Sequence, residues 1–201
     1  TGIELPENTG HRANEETKRK LYSGDDARWY QADQITAAIG QSDNRFTPMQ
    51  LCVYATTLAN RGVRRQATFM NRVVSADYQT LLEESQPAVV DTLYISDEAY
   101  DAIIEGMIRV NGPEGTAGDY FVDFDYTVAG KTGTAEHAKG KSDHGAFVCF
   151  APAEDPEIAI AVYVECGGHG SSLVSIARLL INEYYRGGAI SDVETFENRI
   201  C

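Results

Sequence analysis

The chain is short of positive charge: 17 Lys and Arg face 30 Asp and Glu, a net charge of −13 and a pI near 4.6. Nucleic acid and anionic lipid both reward Lys and Arg, so no nucleic-acid partner is expected. Long apolar runs are missing too. The longest, Ile158–Val164, falls far below the ~20 residues that cross a bilayer. No basic stretch followed by an apolar one opens the chain, so no export signal is legible in it. Four cysteines, at 52, 149, 166 and 201, form no Cys-x-x-Cys pair and no His falls at zinc-finger spacing. A structural zinc site is not expected, nor any other metal or cofactor. Internal repeats, low-complexity tracts and interdomain linkers are also absent.

What is present suffices for a core. Hydrophobic residues make up 43 % and aromatics 9 % of 201 residues, which excludes general disorder and fits about one domain. Residues 1–33 are polar and read as an extended loop with a short helix. Gln34–Gly40 is a short apolar segment ending in Gly, followed by the polar loop 41–46. The strongest helix signal is 48–60: Thr47 as N-cap, Pro48 at the first helical position, and Leu51, Tyr54, Ala55 and Leu58 at helical spacing. Residues 66–75 read as a strand and 78–95 as strand fragments. A second helix starts after Ser96, runs through Ala102, Ile103, Met107 and Val110, and stops at Asn111-Gly112-Pro113. Strands are expected at 126–135, 145–151 and 158–166, the last two joined by a hairpin across Pro152–Pro156. That order predicts an antiparallel meander. It would put Cys149 opposite about Ala159 and far from Cys166, so all four cysteines are expected as thiols. A third helix spans Ser172–Tyr185 with Val174, Ala177, Arg178 and Ile181 along one stripe, and a polar tail follows at 187–201.

The sharpest chemistry lies in Val128-Ala129-Gly130-Lys131-Thr132-Gly133-Thr134-Ala135. Strand alternation puts Lys131 and Gly133 on one face and Thr132 and Thr134 on the other. Gly inside a strand often marks the close approach of a ligand or second backbone. An ammonium, hydroxyls and exposed N–H groups together make a receptor for a carboxylate and a developing oxyanion. A plain small-residue strand carrying one Lys is the competing reading of these residues alone. Lys-Thr-Gly is also a signature of the penicillin-binding and serine β-lactamase superfamily.

The order of further segments narrows the resemblance. Thr1-Gly2-Ile3-Glu4-Leu5-Pro6 resembles the Thr-Gly-Ile-Asp-Leu-Pro segment of class B penicillin-binding proteins. Ala38-Ile39-Gly40-Gln41 with Thr47-Pro48-Met49-Gln50-Leu51, then Ala59-Asn60-Arg61-Gly62 and Gly115-Thr116-Ala117, are similar to its later motifs. Lys131–Glu136 and His144–Ala153 resemble its active-site strand and the next one. The resemblance runs from residue 1 to about 186 and implies the C-terminal portion of a transpeptidase domain. The implied fold is α/β (α+β), an antiparallel sheet flanked by helices, penicillin-binding/β-lactamase-like and incomplete at its N-terminal side.

No Ser in the chain is followed by Lys three positions later; Thr17–Lys20 has the spacing without the residue. In the family Ser-x-x-Lys and Ser-x-Asn precede the Thr-Gly-Ile-Asp-Leu-Pro segment, so the chain is expected to start after them. Ser42-Asp43-Asn44 spells Ser-x-Asn, but its flanks place it in a polar turn before a helix cap. By resemblance, Lys131 positions the substrate's terminal carboxylate and tunes the proton network. Thr132 and Thr134 offer hydroxyls to that carboxylate, Gly133 admits the backbone, and the Thr134 N–H is an oxyanion donor. His144, His169, Glu136 and Glu165 are read as non-catalytic.

The expected partners are a peptidoglycan stem peptide or a β-lactam, and an upstream part of the same protein carrying Ser-x-x-Lys. Self-association of a split domain is a further expectation. The expected site of action is the extracytoplasmic face of a bacterial membrane. Without the nucleophile these residues alone should not acylate. The alternative is a non-enzymatic β-lactam-sensing or scaffold module of the same fold.

Overall fold

A computed structural model describes residues 1–136 and 140–186. The tail expected at 187–201, with Cys201, lies outside the described residues. Five helices occur among the described residues: α1 (Glu15–Leu21), α2 (Gln31–Ala38), α3 (Pro48–Ala59), α4 (Asp97–Val110) and α5 (Val174–Arg186). Two small hairpin-like pairs join β1 (Val63–Arg65) to β4 (Val89–Thr92) and β2 (Arg72–Val74) to β3 (Leu81–Glu84). The main sheet is β5 (Ala129–Ala135), β6 (His144–Ala151) and β7 (Ile158–Val164), in that order and antiparallel throughout.

The sheet is covered on both faces, as the alternation along its strands requires. Phe147, Cys149, Ala151 and Ile160 pack against Leu173 and against Val174, Ala177 and Ile181 of α5. Ala129 and Phe150 face the other way, onto Leu58 of α3 and Met107 of α4. Phe147 and Phe150, three positions apart on β6 and so of opposite parity in that alternation, are both fully buried, one on each face. Each contributes about 1.5–3 kcal/mol of burial free energy. The fold is thus an antiparallel sheet between helices.

The helix ends follow the expected chemistry. Thr47 Oγ1 accepts from Gln50 N–H at 3.1 Å while Gln50 Oε1 accepts from Thr47 N–H at 2.9 Å, closing a capping box before Pro48. Ser96 caps α4 by accepting from Ala99 N–H. Of the residues through which α4 was expected to run, Met107 is buried and Ile103 is exposed. Tyr100 is buried as well, and Ile104 and Ile108 pack beside Met107. The Tyr100 hydroxyl donates to the Leu58 carbonyl at 2.7 Å, which fixes the rotation of α4 on α3.

Other boundaries also moved. Of the strand expected at 66–75 only β2 (Arg72–Val74) forms; β1 ends before it at Arg65, with loop between the two. The N–H groups of Ala67 and Phe69 donate to the Thr1 carbonyl and the Glu4 carboxylate, so this backbone is spent on the N-terminal segment rather than a ladder. The strand expected from 126 begins at Ala129, and the last strand ends at Val164. Ahead of α5, residues Gly170–Leu173 form a 3-10 turn. Cys149 stands opposite Ile160, one residue from the expected Ala159, in a register that pairs Ala151 with Ile158. Cys52, Cys149 and Cys166 are free thiols, and burial pushes that of Cys149 up to about 12.

Candidate functional site

β5 is the outer strand of the main sheet, pairing with β6 on one side only among the described residues. In an antiparallel ladder, residues alternate between exchanging bonds with the partner and directing both backbone groups the other way. The Thr134 carbonyl accepts from Gln41 Nε2 at 3.1 Å and so points off the free edge. The Thr134 N–H shares that direction, as do the backbone groups of Thr132 and Gly130.

Thr132 and Thr134 stand on the face covered by α5, and Lys131 and Gly133 on the other, the alternation expected from sequence. The hydroxyls of Thr132 and Thr116 lie 3.3 Å apart. The loop that brings Thr116 there folds back on α4, with Ala117 N–H donating to the Val110 carbonyl at 2.9 Å. Thr134 Oγ1 accepts from the Gly170 N–H at 3.2 Å. Lys131 is exposed, and its Nζ donates to the Thr132 carbonyl at 2.6 Å. Lys131, Thr132, Gly133 and Thr134 therefore lie together on one accessible strand edge.

The hydrogen bonds of Thr134 are one-sided. Its carbonyl and its hydroxyl oxygen each already receive a donor, from Gln41 and Gly170. As donors Thr134 offers its outward N–H and its hydroxyl proton. Two donors on one residue suit a ligand rich in acceptor oxygens.

Close packing holds the strand in place. A Cβ on Gly130 would come within 2.7 Å of the Phe147 ring and 2.8 Å of Asn111 Nδ2. Asn111 itself is buried and donates to the Val128 carbonyl at 2.8 Å, tying the end of α4 to the start of β5. Gly170 rests directly on the Gly133 and Ala146 backbones.

Ser42-Asp43-Asn44 is a structural turn. Asn44 Oδ1 accepts from Ala13 N–H at 2.9 Å, and its Nδ2 donates to the carbonyls of Ala37 and Gln41. Its amide is engaged in holding the loop. His144 Nδ1 accepts from Cys166 N–H at 3.1 Å, and His169 is exposed at the start of the 3-10 turn. Glu136 and Glu165 are exposed. Sequence reasoning assigned no role to Gln41, Thr116 or Gly170. Gln41 and Thr116 sit in segments that carried the resemblance, a usable signal; Gly170 had only its Gly-rich loop.

Residues 8–181 match the penicillin binding protein transpeptidase domain model. The chain is 30 % identical over 210 residues to the Escherichia coli K12 peptidoglycan D,D-transpeptidase MrdA, covering 96 % of this chain and 32 % of that protein. It superimposes on penicillin-binding protein 2B from Streptococcus pneumoniae R6 with a TM-score of 0.72 at 29 % identity, covering 92 % of this chain and 30 % of that one. A third similar structure is the imipenem acyl-enzyme of Mycobacterium tuberculosis penicillin-binding protein A, at TM-score 0.66 and 26 % identity, over 78 % of this chain and 34 % of that chain. The chain thus spans about a third of the length of its relatives. It belongs to the penicillin-binding protein transpeptidase domain family.

Proposed function

We propose that these residues are the carboxylate- and oxyanion-binding side of a serine acyl-transfer site in a peptidoglycan D,D-transpeptidase. Residues 1–186 are the C-terminal portion of its transpeptidase domain, and the Ser-x-x-Lys nucleophile lies outside the 201 residues. The observation that carries this reading is the outward N–H and the hydroxyl proton of Thr134 on the free edge beside Lys131. A seryl oxygen would attack a peptide or β-lactam carbonyl. The negative charge on its oxygen would be met by the Thr134 N–H, and the substrate carboxylate by Lys131 with the Thr132 and Thr134 hydroxyls. The C–N bond would then break, its nitrogen leaving as an amine with the proton the seryl hydroxyl gave up, and an acyl ester would remain on the serine. Removing one oxyanion donor typically costs ~10²–10³ in rate. In this reading, the parent acts at the extracytoplasmic face of the cell membrane, on stem peptides, and is acylated by β-lactams.

Fluorescent penicillin tests it. The 201 residues alone should give no SDS-stable band. An added fragment carrying Ser-x-x-Lys should restore labelling, and Lys131→Ala should weaken it. A labelled band from the chain alone would refute the external nucleophile, and unchanged labelling with Lys131→Ala would remove Lys131 from the site.

The alternative reading is a non-enzymatic β-lactam-sensing or scaffold module of the same fold. The coding sequence upstream of Thr1 separates the two. A Ser-x-x-Lys there supports the enzyme, and an unrelated domain supports the module. Self-association of the split domain is read by sedimentation of the isolated chain.

A further inference from the structure

The loop between α2 and α3 reaches the site through one side chain. Gln41 and Thr134 are 93 positions apart, yet Gln41 Nε2 donates to the Thr134 carbonyl at 3.1 Å in a partly buried contact. The Gln41 backbone is pinned on both sides. Its N–H donates to the Thr36 carbonyl at 3.1 Å, and its own carbonyl accepts from Asn44 Nδ2 at 3.0 Å. Asn44 is anchored in turn to Ala13, and the neighbouring Arg45 pairs with His11 in a two-bond bridge. The loop is thus built to present the Gln41 carboxamide at one place.

That place is the residue on which the proposed chemistry turns. The Thr134 carbonyl and N–H flank the same Cα and leave the strand on the same edge. Holding the carbonyl therefore restrains the direction of the N–H. Gly170 N–H holds the hydroxyl oxygen of the same residue from another element. A carbonyl has two lone pairs, so the bond from Gln41 leaves one for an incoming peptide N–H.

We infer that Gln41 is a positioning residue for acyl transfer: its carboxamide fixes the Thr134 peptide so that the Thr134 N–H meets the developing oxyanion. It touches neither substrate nor reacting atoms and acts through Thr134. The inference rests on the reading under Proposed function. A neutral amide-to-carbonyl bond of ordinary strength corresponds to about a twofold to tenfold change in rate.

The test uses the full-length protein containing this chain, with fluorescent penicillin and stopped-flow or gel readout resolving the dissociation constant from the acylation constant. Gln41→Ala should lower the acylation constant about twofold to tenfold and leave the dissociation constant within about twofold. Gln41→Glu keeps the shape but, when ionised, has no proton to donate. Its rate relative to the unaltered protein should be low at pH 8 and recover toward pH 5, as the protonated carboxyl donates to the Thr134 carbonyl. A purely structural role for Gln41 would not produce that pH-dependent ratio. Unchanged acylation, faster acylation, or a Glu ratio flat with pH would each overturn the inference. Should Gln41→Ala misfold, the two ends of the Glu pH profile decide within one protein. Absence of labelling in the unaltered full-length protein refutes the proposed acyl transfer instead. Amide exchange at residues 133–135 of this chain then reads the clamp alone: faster exchange in Gln41→Ala supports it, and unchanged exchange overturns it.

Discussion

Replacing Gly170 with alanine probes the tightest backbone contact at the site. An alanine Cβ there would sit 2.1 Å from the Gly133 carbonyl oxygen, 2.4 Å from that of Ala146 and 2.9 Å from the Gly133 nitrogen. Ordinary contact begins at 3.4 Å, so the 3-10 turn must lift from the sheet by about an ångström or more. All three obstacles are backbone atoms of the paired strands β5 and β6, and none can rotate away. Overpacking of this kind costs about 1–3 kcal/mol. Lifting the turn also removes the bond from Gly170 N–H to Thr134 Oγ1, a further ~0.5–1.5 kcal/mol. The sum, roughly 3 kcal/mol, corresponds to a drop of roughly 10 °C in melting temperature for a chain of this size.

The control is Gly168→Ala, two residues away. Gly168 has φ +76° and nothing within 4 Å of the place a methyl group would take, so its cost is backbone strain alone, about 1–2 kcal/mol. Thermal denaturation followed by circular dichroism should show Gly170→Ala as the more damaging change. Penicillin labelling of the full-length protein should fall in Gly170→Ala and hold in Gly168→Ala. A Gly170→Ala melting point within about 2 °C of the unaltered chain, or a smaller drop than the control's, would refute the close-packing argument.

Phe147→Ala empties a fully buried ring position between the sheet and α5 and should cost about 3–5 kcal/mol, measured by urea denaturation. Mass-resolved alkylation should find Cys166 reactive in the folded chain and Cys149 reactive only on unfolding, since Cys166 is exposed and Cys149 is buried. Burial holds the Cys149 thiol protonated up to about 12, whereas an unfolded thiol ionises near ~8.5. Between those values the unfolded chain binds fewer protons, so stability should decline as pH rises through that window. Cys149→Ala should make the decline shallower in urea midpoints taken from about pH 8 to about pH 10.5; an unchanged slope would remove Cys149 as its source.

How far the sequence could be read depended on how local the deciding interactions were. The α3 start was legible because Thr47, Pro48 and Gln50 make their capping contacts within four residues. The meander of β5, β6 and β7 was legible because short connections leave few ways to pair consecutive strands. Which side of α4 is buried, with Ile103 left exposed, was not legible because a contact with Leu58, 42 residues away, sets its rotation. The strand at 66–75 failed for a like reason: its N–H groups are taken by residues 1–4, which no local pattern announces.

The candidate site divides along the same line. By itself the sequence determined the chemistry of the strand, an ammonium and two hydroxyls among small residues, and the family it belongs to, because motif identity and order survive in one dimension. It also determined the alternation that separates Lys131 from Thr132 and Thr134, a property of any extended strand. Only the tertiary structure decided that β5 is an edge, that Thr116 reaches Thr132, and that Gln41 and Gly170 donate to the carbonyl and hydroxyl oxygens of Thr134. Those contacts join segments 16 to 93 residues apart, and their geometry comes from how helices and sheet pack rather than from any run of residues.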